Sequence, residues 1–100
     1  MKRLIFISLS IMMLCSSCGE YNKLLKSPDL DLKYSFAKKY FNQKKYVRSA
    51  TLLEEIVHPF KGRAEAEEAL YLLAQSYYGQ KDYITSSQYF KQYYTTYPKG

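Results

Sequence analysis

Three side chains in this 100-residue sequence offer strong nucleophilic or metal-ligating chemistry: Cys15, Cys18 and His58. Two thiols and one imidazole fall short of a four-ligand metal site and of a multi-bridge disulfide framework. Cys15 and Cys18 have the spacing of a redox pair. A Cys-x-x-Cys works in that role only on a folded scaffold that tunes its thiols, and this one borders an apolar run. His58 precedes Pro59 with no second His or Cys beside it, so a surface or capping role is its default. No nucleophile–base pair, phosphate loop or metal cluster stands elsewhere, so neither an enzyme nor a cofactor is expected. What stands out instead is 12 Tyr and 5 Phe, and a net charge of +6 from 15 basic and 9 acidic residues. Basic charge with many tyrosines suits nucleic acid in general. Here several of the tyrosines fall at repeat positions, and an export signal carries the chain away from nucleic acid, so no such partner is expected.

Lys2 and Arg3 precede an uncharged run from Leu4 to Leu14, LIFISLSIMML. As a helix at ~1.5 Å per residue, this run covers about half of a ~30 Å bilayer core, which fits a secretory signal rather than a span. The Cys15-Ser16-Ser17-Cys18 segment resembles the lipobox of bacterial lipoproteins, where small residues precede the acylated cysteine. Ser17 suits the cleavage position before Cys18, whereas bulky Leu14 precedes Cys15. Where that family places a leucine three residues before the cysteine, this chain has Cys15, with Leu14 one place further back. A plain secretory signal with two incidental cysteines is the alternative. The resemblance implies a signal peptide over 1–17 and lipid on Cys18. It also implies an 83-residue mature chain with 13 basic and 9 acidic residues, held on a membrane without spanning it. Residues 18–30 read as the lipidated cysteine and a polar tether, with Ser27 as a helix N-cap and Pro28 at the first helical position. No acidic run follows Cys18, which favours a protein facing the periplasm.

From residue 31 onward the sequence repeats every 37 residues. Leu73 falls on Phe36, Ala74 on Ala37, Tyr77 on Tyr40, Tyr83 on Tyr46, Ser86 on Ser49 and Phe90 on Leu53. Such a period signals stacked helical hairpins, an α-solenoid. Small residues (Ala37, Ala74, Ser49, Ser86) sit where two helices approach closely, and large ones fill the gaps between them. Apolar residues recur at three- and four-residue steps, which predicts helices over 31–43, 46–57, 63–78 and 83–97. Pro59 and Gly62 break the chain between hairpins, Gly79 and the following Gln-Lys-Asp make the last turn, and Pro98 stops the final helix. The fold class expected is therefore all-α, with two hairpins over about 31–62 and 63–100.

The second unit places Ala74, Tyr77, Tyr83, Ser86, Phe90 and Pro98 at the offsets of the tetratricopeptide repeat, which it resembles. The first supplies Ala37, Tyr40, Tyr46, Ser49 and Leu53, with Pro59 arriving two places early. The family's Trp and Gly positions are not met, and Ser replaces Ala at the tight contact. A lipobox, a short tether and 37-residue repeats joined by HPFKG and ended by TYPKG together resemble the BamD-type lipoproteins of the outer-membrane β-barrel assembly machinery. That resemblance covers essentially the whole chain. It implies lipid anchoring in the outer membrane facing the periplasm, and partners in the barrel-forming subunit and unfolded outer-membrane proteins. Another periplasmic tetratricopeptide scaffold, for peptidoglycan or cell division, is the alternative. Members of the family carry more repeats, and a solenoid generally needs three or more. Two repeats therefore predict a truncated chain, with part of the aromatic set on the last helix (Tyr89, Phe90, Tyr93, Tyr94, Tyr97) left facing outward.

In such arrays the first helix of each hairpin lines the concave groove. The resemblance places Tyr34, Lys38 and Phe41 there in the first unit, and Tyr71, Gln75 and Tyr78 in the second. Each trio follows an i, i+4, i+7 spacing and so shares a helix face, and the two trios lie 37 residues apart. The result is an aromatic ladder with a polar rung, suited to an extended peptide; core packing is the alternative for each aromatic member. Lys38, Lys39, Lys44, Lys45 and Arg48 form a basic cluster. It reads either as a solvated face or as a contact for acidic lipid headgroups or an acidic partner.

Overall fold

The computed structural model describes residues 19–99. The expected signal peptide and the lipidation site at Cys18 lie outside the described residues. Among those described there are helices and turns and no strand, so the fold is all-α. Helix α1 occupies residues 19–26. It is followed by α2 (Leu30–Asn42), α3 (Tyr46–Ile56), α4 (Ala66–Gly79) and α5 (Tyr83–Thr96). Helix α2 packs on α3, α4 on α5 and α3 on α4, and α2 also touches α4.

Local chemistry starts and stops these helices. Asp29, not Ser27, is the N-cap of α2, and its carboxylate accepts from the Leu32 N–H at 3.1 Å. The Ser27 hydroxyl instead accepts from the Asp29 N–H, so the expected cap sits one short turn too early. Asp82 caps α5 in the same way, accepting from Thr85 N–H at 3.2 Å. Glu67 and Glu68 lie in the first turn of α4, where negative charge favours the helix dipole.

The ends of α2 and α4 are built alike. Lys44 N–H donates to Phe41 O and Lys45 N–H to Tyr40 O; 37 residues later Lys81 N–H donates to Tyr78 O and Asp82 N–H to Tyr77 O. These are paired Schellman closures, which need a left-handed residue just past the helix. Lysine fills that place both times, with φ of 62° at Lys44 and 65° at Lys81. Gly79, read from sequence as the turn-maker, is instead the last helical residue of α4.

The hairpins close on small residues. Ser49 Oγ donates to Ala37 O at 2.9 Å, and Ser86 Oγ donates to Ala74 O at 2.9 Å, each across 12 residues. All four side chains are buried. Ser76 Oγ lies 3.2 Å from Ser49 Oγ and ties α4 to α3. Gly79 is required by a close approach of the same helices. A Cβ there would stand 2.5 Å from the Tyr46 ring. Around these contacts the core gathers Tyr40, Leu52, Leu53, Ile56, Phe60 and Leu73.

Two features depart from the sequence reading. Residues 19–26, expected as tether, are helical, and only 27–29 separate this helix from α2. Leu24 is buried, the Tyr21 ring meets Tyr40 edge-on at 5.9 Å, and Lys33 Nζ donates to Leu25 O at 3.3 Å. Lys33 itself is buried and pairs with Glu55 at 2.6 Å, so one ammonium joins α1, α2 and α3. The second departure is an asymmetry between the hairpins. Helix α3 buries Ser49, Ala50, Leu52, Leu53 and Ile56, whereas α5 buries Ser86 alone. Of the aromatics on the last helix, Tyr94 turns outward, 63% exposed, while Tyr89, Phe90, Tyr93 and Tyr97 are half-buried, with Tyr89 stacked on Tyr77 and both Phe90 and Tyr93 against Tyr71.

Two outcomes test this packing. Lys81→Gly relieves a left-handed side chain at no cost in contacts and should stabilise the protein by about 0.5–1 kcal/mol in urea denaturation. Gly79→Ala should destabilise by about 1–3 kcal/mol because the Tyr46 ring must shift. Much of that loss should disappear in a Tyr46→Ala background, and additive effects would place the two residues apart.

Candidate functional site

The face shared by α2 and α4 holds the residues singled out from sequence, though not as one continuous ladder. Lys38, Phe41 and Asn42 of α2 meet Glu68, Tyr71 and Leu72 of α4 around a shallow depression of about 330 Å³. Phe41 is half-buried, its ring edge-on to Tyr46 at 5.6 Å. Tyr71 stays 40% exposed, with Tyr93 behind it at 5.5 Å and its hydroxyl accepting from Gln75 Nε2 at 2.9 Å. Gln75 therefore orients Tyr71 and does not line the depression.

The other two members separate from this group. Tyr34 is only 7% exposed, with its ring edge-on to Phe60 at 5.4 Å and its hydroxyl donating to Glu68. It belongs to the core and locks the first hairpin to the second. Tyr78 is 56% exposed, packs edge-on against Tyr83 at 5.3 Å, and lines a separate depression with Phe90 and Tyr94. The equivalent pair one unit earlier is Phe41 with Tyr46, so the two aromatic corners repeat.

Charge at the site centres on Glu68. It accepts from Tyr34, and Lys38 Nζ stands 3.7 Å from it and 4.5 Å from the centre of the Tyr34 ring. The Lys38–Glu68 pair is exposed and long, so its net attraction is small and the ammonium is free to exchange partners. The depression thus offers two aromatic walls, one exchangeable cation, one carboxylate and one amide. That set suits an extended peptide segment carrying an aromatic side chain and an anionic group.

Sequence reasoning missed the residues that hold this face in place. Arg63 bridges Asp31 at 2.6 Å and Glu65 at 3.4 Å, and its guanidinium lies 4.1 Å over the buried Phe60 ring. The loop that carries Phe60 and Arg63 was legible only as a break. A large aromatic between Pro59 and Gly62 was the available signal that it folds inward. His58, exposed as expected, borders a shallow cavity of about 370 Å³ with Glu54, Lys61 and Tyr89 on the opposite side of the α3–α4 layer.

Burial and a neighbouring carboxylate act together on two tyrosines. Burial first, then the hydrogen bond to Glu68, pushes the Tyr34 hydroxyl far above its ordinary value of 10.0. Burial and Glu54 do the same to Tyr77. Both folded-state values lie above the unfolded one, so their stabilisation is complete below pH ~10 and is lost as pH rises beyond it. Melting temperature should therefore fall steeply from pH ~10 upward. The slope should be shallower in Tyr34→Phe with Tyr77→Phe, and an unchanged slope would remove these groups as its cause.

No protein-family model matches the chain, and no curated protein or solved structure is significantly similar to it.

Proposed function

We propose that the two hairpins are tetratricopeptide-like repeats opening an α-solenoid. In this reading the chain is a non-enzymatic lipoprotein of the BamD type, anchored in the outer membrane through Cys18 and facing the periplasm. Its work is recognition: the α2/α4 face binds unfolded outer-membrane proteins on their way to the barrel-forming subunit. The recurrence of hairpin clamps, helix closures and aromatic corners at 37 residues supports the repeat assignment. The leader and the order of sequence motifs support the anchor and the location.

The observation that carries the binding role is the depression that Lys38 lines together with Phe41 and Tyr71. A strand ending in an aromatic residue can lay that ring between the two walls. Its terminal carboxylate then takes Lys38 from Glu68. Tyr34 and Gln75 hold the walls, and Tyr78 extends the apolar path toward α5.

The test is binding of a synthetic peptide that ends in an aromatic residue with a free carboxylate, measured by calorimetry with the full chain. Phe41→Ala with Tyr71→Ala should weaken binding at least ~10-fold, about 1.4 kcal/mol. Lys38→Gln should weaken the free acid but leave the C-terminally amidated peptide unaffected. Unchanged affinity in both variants removes this face from the function. Co-purification of the lipidated chain with peptidoglycan-binding proteins, and without the barrel-forming subunit, would favour the other periplasmic scaffold role.

A further inference from the structure

We infer that the end of the molecule formed by α1 and the α2–α3 turn is a contact surface for an anionic phospholipid bilayer. Charge is distributed unevenly along the chain. Residues 19–62 carry 9 basic and 5 acidic residues, whereas residues 63–99 carry 4 of each. Four of the five acids in the first half are engaged elsewhere. Asp29 caps α2, Asp31 pairs with Arg63, Glu54 accepts from Tyr77, and Glu55 pairs with Lys33. The fifth, Glu20, lies in α1, close enough to act on the Tyr40 hydroxyl.

The basic side chains gather at one end because α1 runs back along α2. Tyr21 meets Tyr40, and Leu25 meets Lys33, so the two helices are antiparallel and residue 19 lies toward the α2–α3 turn. Lys44 and Lys45 form that turn, and Arg48 lies 5.1 Å over the Tyr21 ring and 5.6 Å over Tyr40. Lys39 Nζ rests 5.2 Å over Phe36, and Lys45 Nζ 5.8 Å over Tyr40. Among the described residues, Lys23, Lys39, Lys44 and Lys45 make none of the ion pairs.

An apolar depression of about 370 Å³ runs along α1 and α2 beside two of the cations, lined by Leu24, Leu32 and Phe36 with Glu20, Lys23 and Ser27, and Lys39 lies over its Phe36 wall. Lysine ammonium groups held over aromatic rings beside an apolar hollow are the chemistry of a bilayer interface, where a flexible stem lets the cation turn to a headgroup while rings and stems rest on apolar surface. Dispersed lysines favour a diffuse anionic surface over one bidentate acidic ligand. On the lipoprotein reading proposed above, the chain enters α1 from the apolar Leu4–Leu14 run and Cys18, which would deliver this end to a membrane.

The test uses the full chain with Cys15→Ser and Cys18→Ser, so that no acyl chain contributes and the peptide-binding face is untouched. Co-sedimentation compares vesicles of phosphatidylcholine alone with vesicles containing phosphatidylglycerol. Phosphatidylglycerol should raise affinity at least ~10-fold, and added salt should erase the gain. Lys39→Glu, Lys44→Glu and Lys45→Glu together should reduce binding to the phosphatidylcholine level. The equally charged control, Lys81→Glu, Lys91→Glu and Lys99→Glu, should keep most of the preference, with circular dichroism showing both variants folded. Equal binding to the two vesicle types, or equal effects of the two triple variants, would overturn the proposal. Tighter binding to poly-glutamate than to phosphatidylglycerol vesicles at equal charge concentration would also overturn it, assigning the surface to an acidic protein.

Discussion

A serine hydroxyl crossing to an alanine carbonyl sets the geometry of this molecule. Ser49 to Ala37 and Ser86 to Ala74 bring the two helices of each hairpin to their closest approach. Only small side chains fit there, and a buried hydroxyl must find an acceptor. The large residues are displaced to either side of the crossing, where Leu53 and Phe90 stand 37 residues apart in sequence, Leu53 fully buried and Phe90 only half-buried. Because both hairpins obey the same constraint, their first helices present equivalent positions in parallel, and the α2/α4 face follows from that.

The tyrosine content has a physical explanation within this frame. Tyr34 on α2 donates to Glu68 on α4, Tyr77 on α4 to Glu54 on α3, and Tyr93 on α5 to Glu67 on α4. Each places a large apolar ring between helices and finishes at a carboxylate on a neighbouring one. A phenylalanine would fill the same space without that terminal link, so tyrosine gives both packing and registration between layers. Among the described residues, Lys44 and Lys45 of the α2–α3 turn make none of the ion pairs, and the basic excess of residues 19–62 gives the molecule its electrostatic polarity.

Much of the helical core was legible because it is periodic. The four helices fall within a few residues of the boundaries read from spacing, and Ala37 and Ala74 occupy matching surroundings. What was illegible depends on tertiary contacts. Helix α1 has a polar composition and is held by Tyr21 against Tyr40, by Leu24, and by Lys33 reaching back to Leu25 O. A buried lysine gives no signal in a sequence, since lysines are usually exposed. Helix α4 starts at Ala66, not Arg63, because the Arg63 backbone closes a turn with Phe60 while its side chain spans to Asp31. At the candidate site the spacing correctly placed Lys38, Phe41 and Tyr71 together. It could not tell that Tyr34 turns inward onto Phe60, because helix spacing alone does not show that the 57–65 loop folds beneath it.

The central claim is that two hairpins share one crossing geometry, and nuclear Overhauser contacts in the folded chain test it most directly. Cross-peaks from the Ala37 methyl to the Ser49 β-protons, and from the Ala74 methyl to the Ser86 β-protons, should both appear with similar intensity. A cross-peak in one hairpin without its counterpart in the other, or an alanine methyl exposed to solvent, would contradict the shared geometry and the binding face built on it.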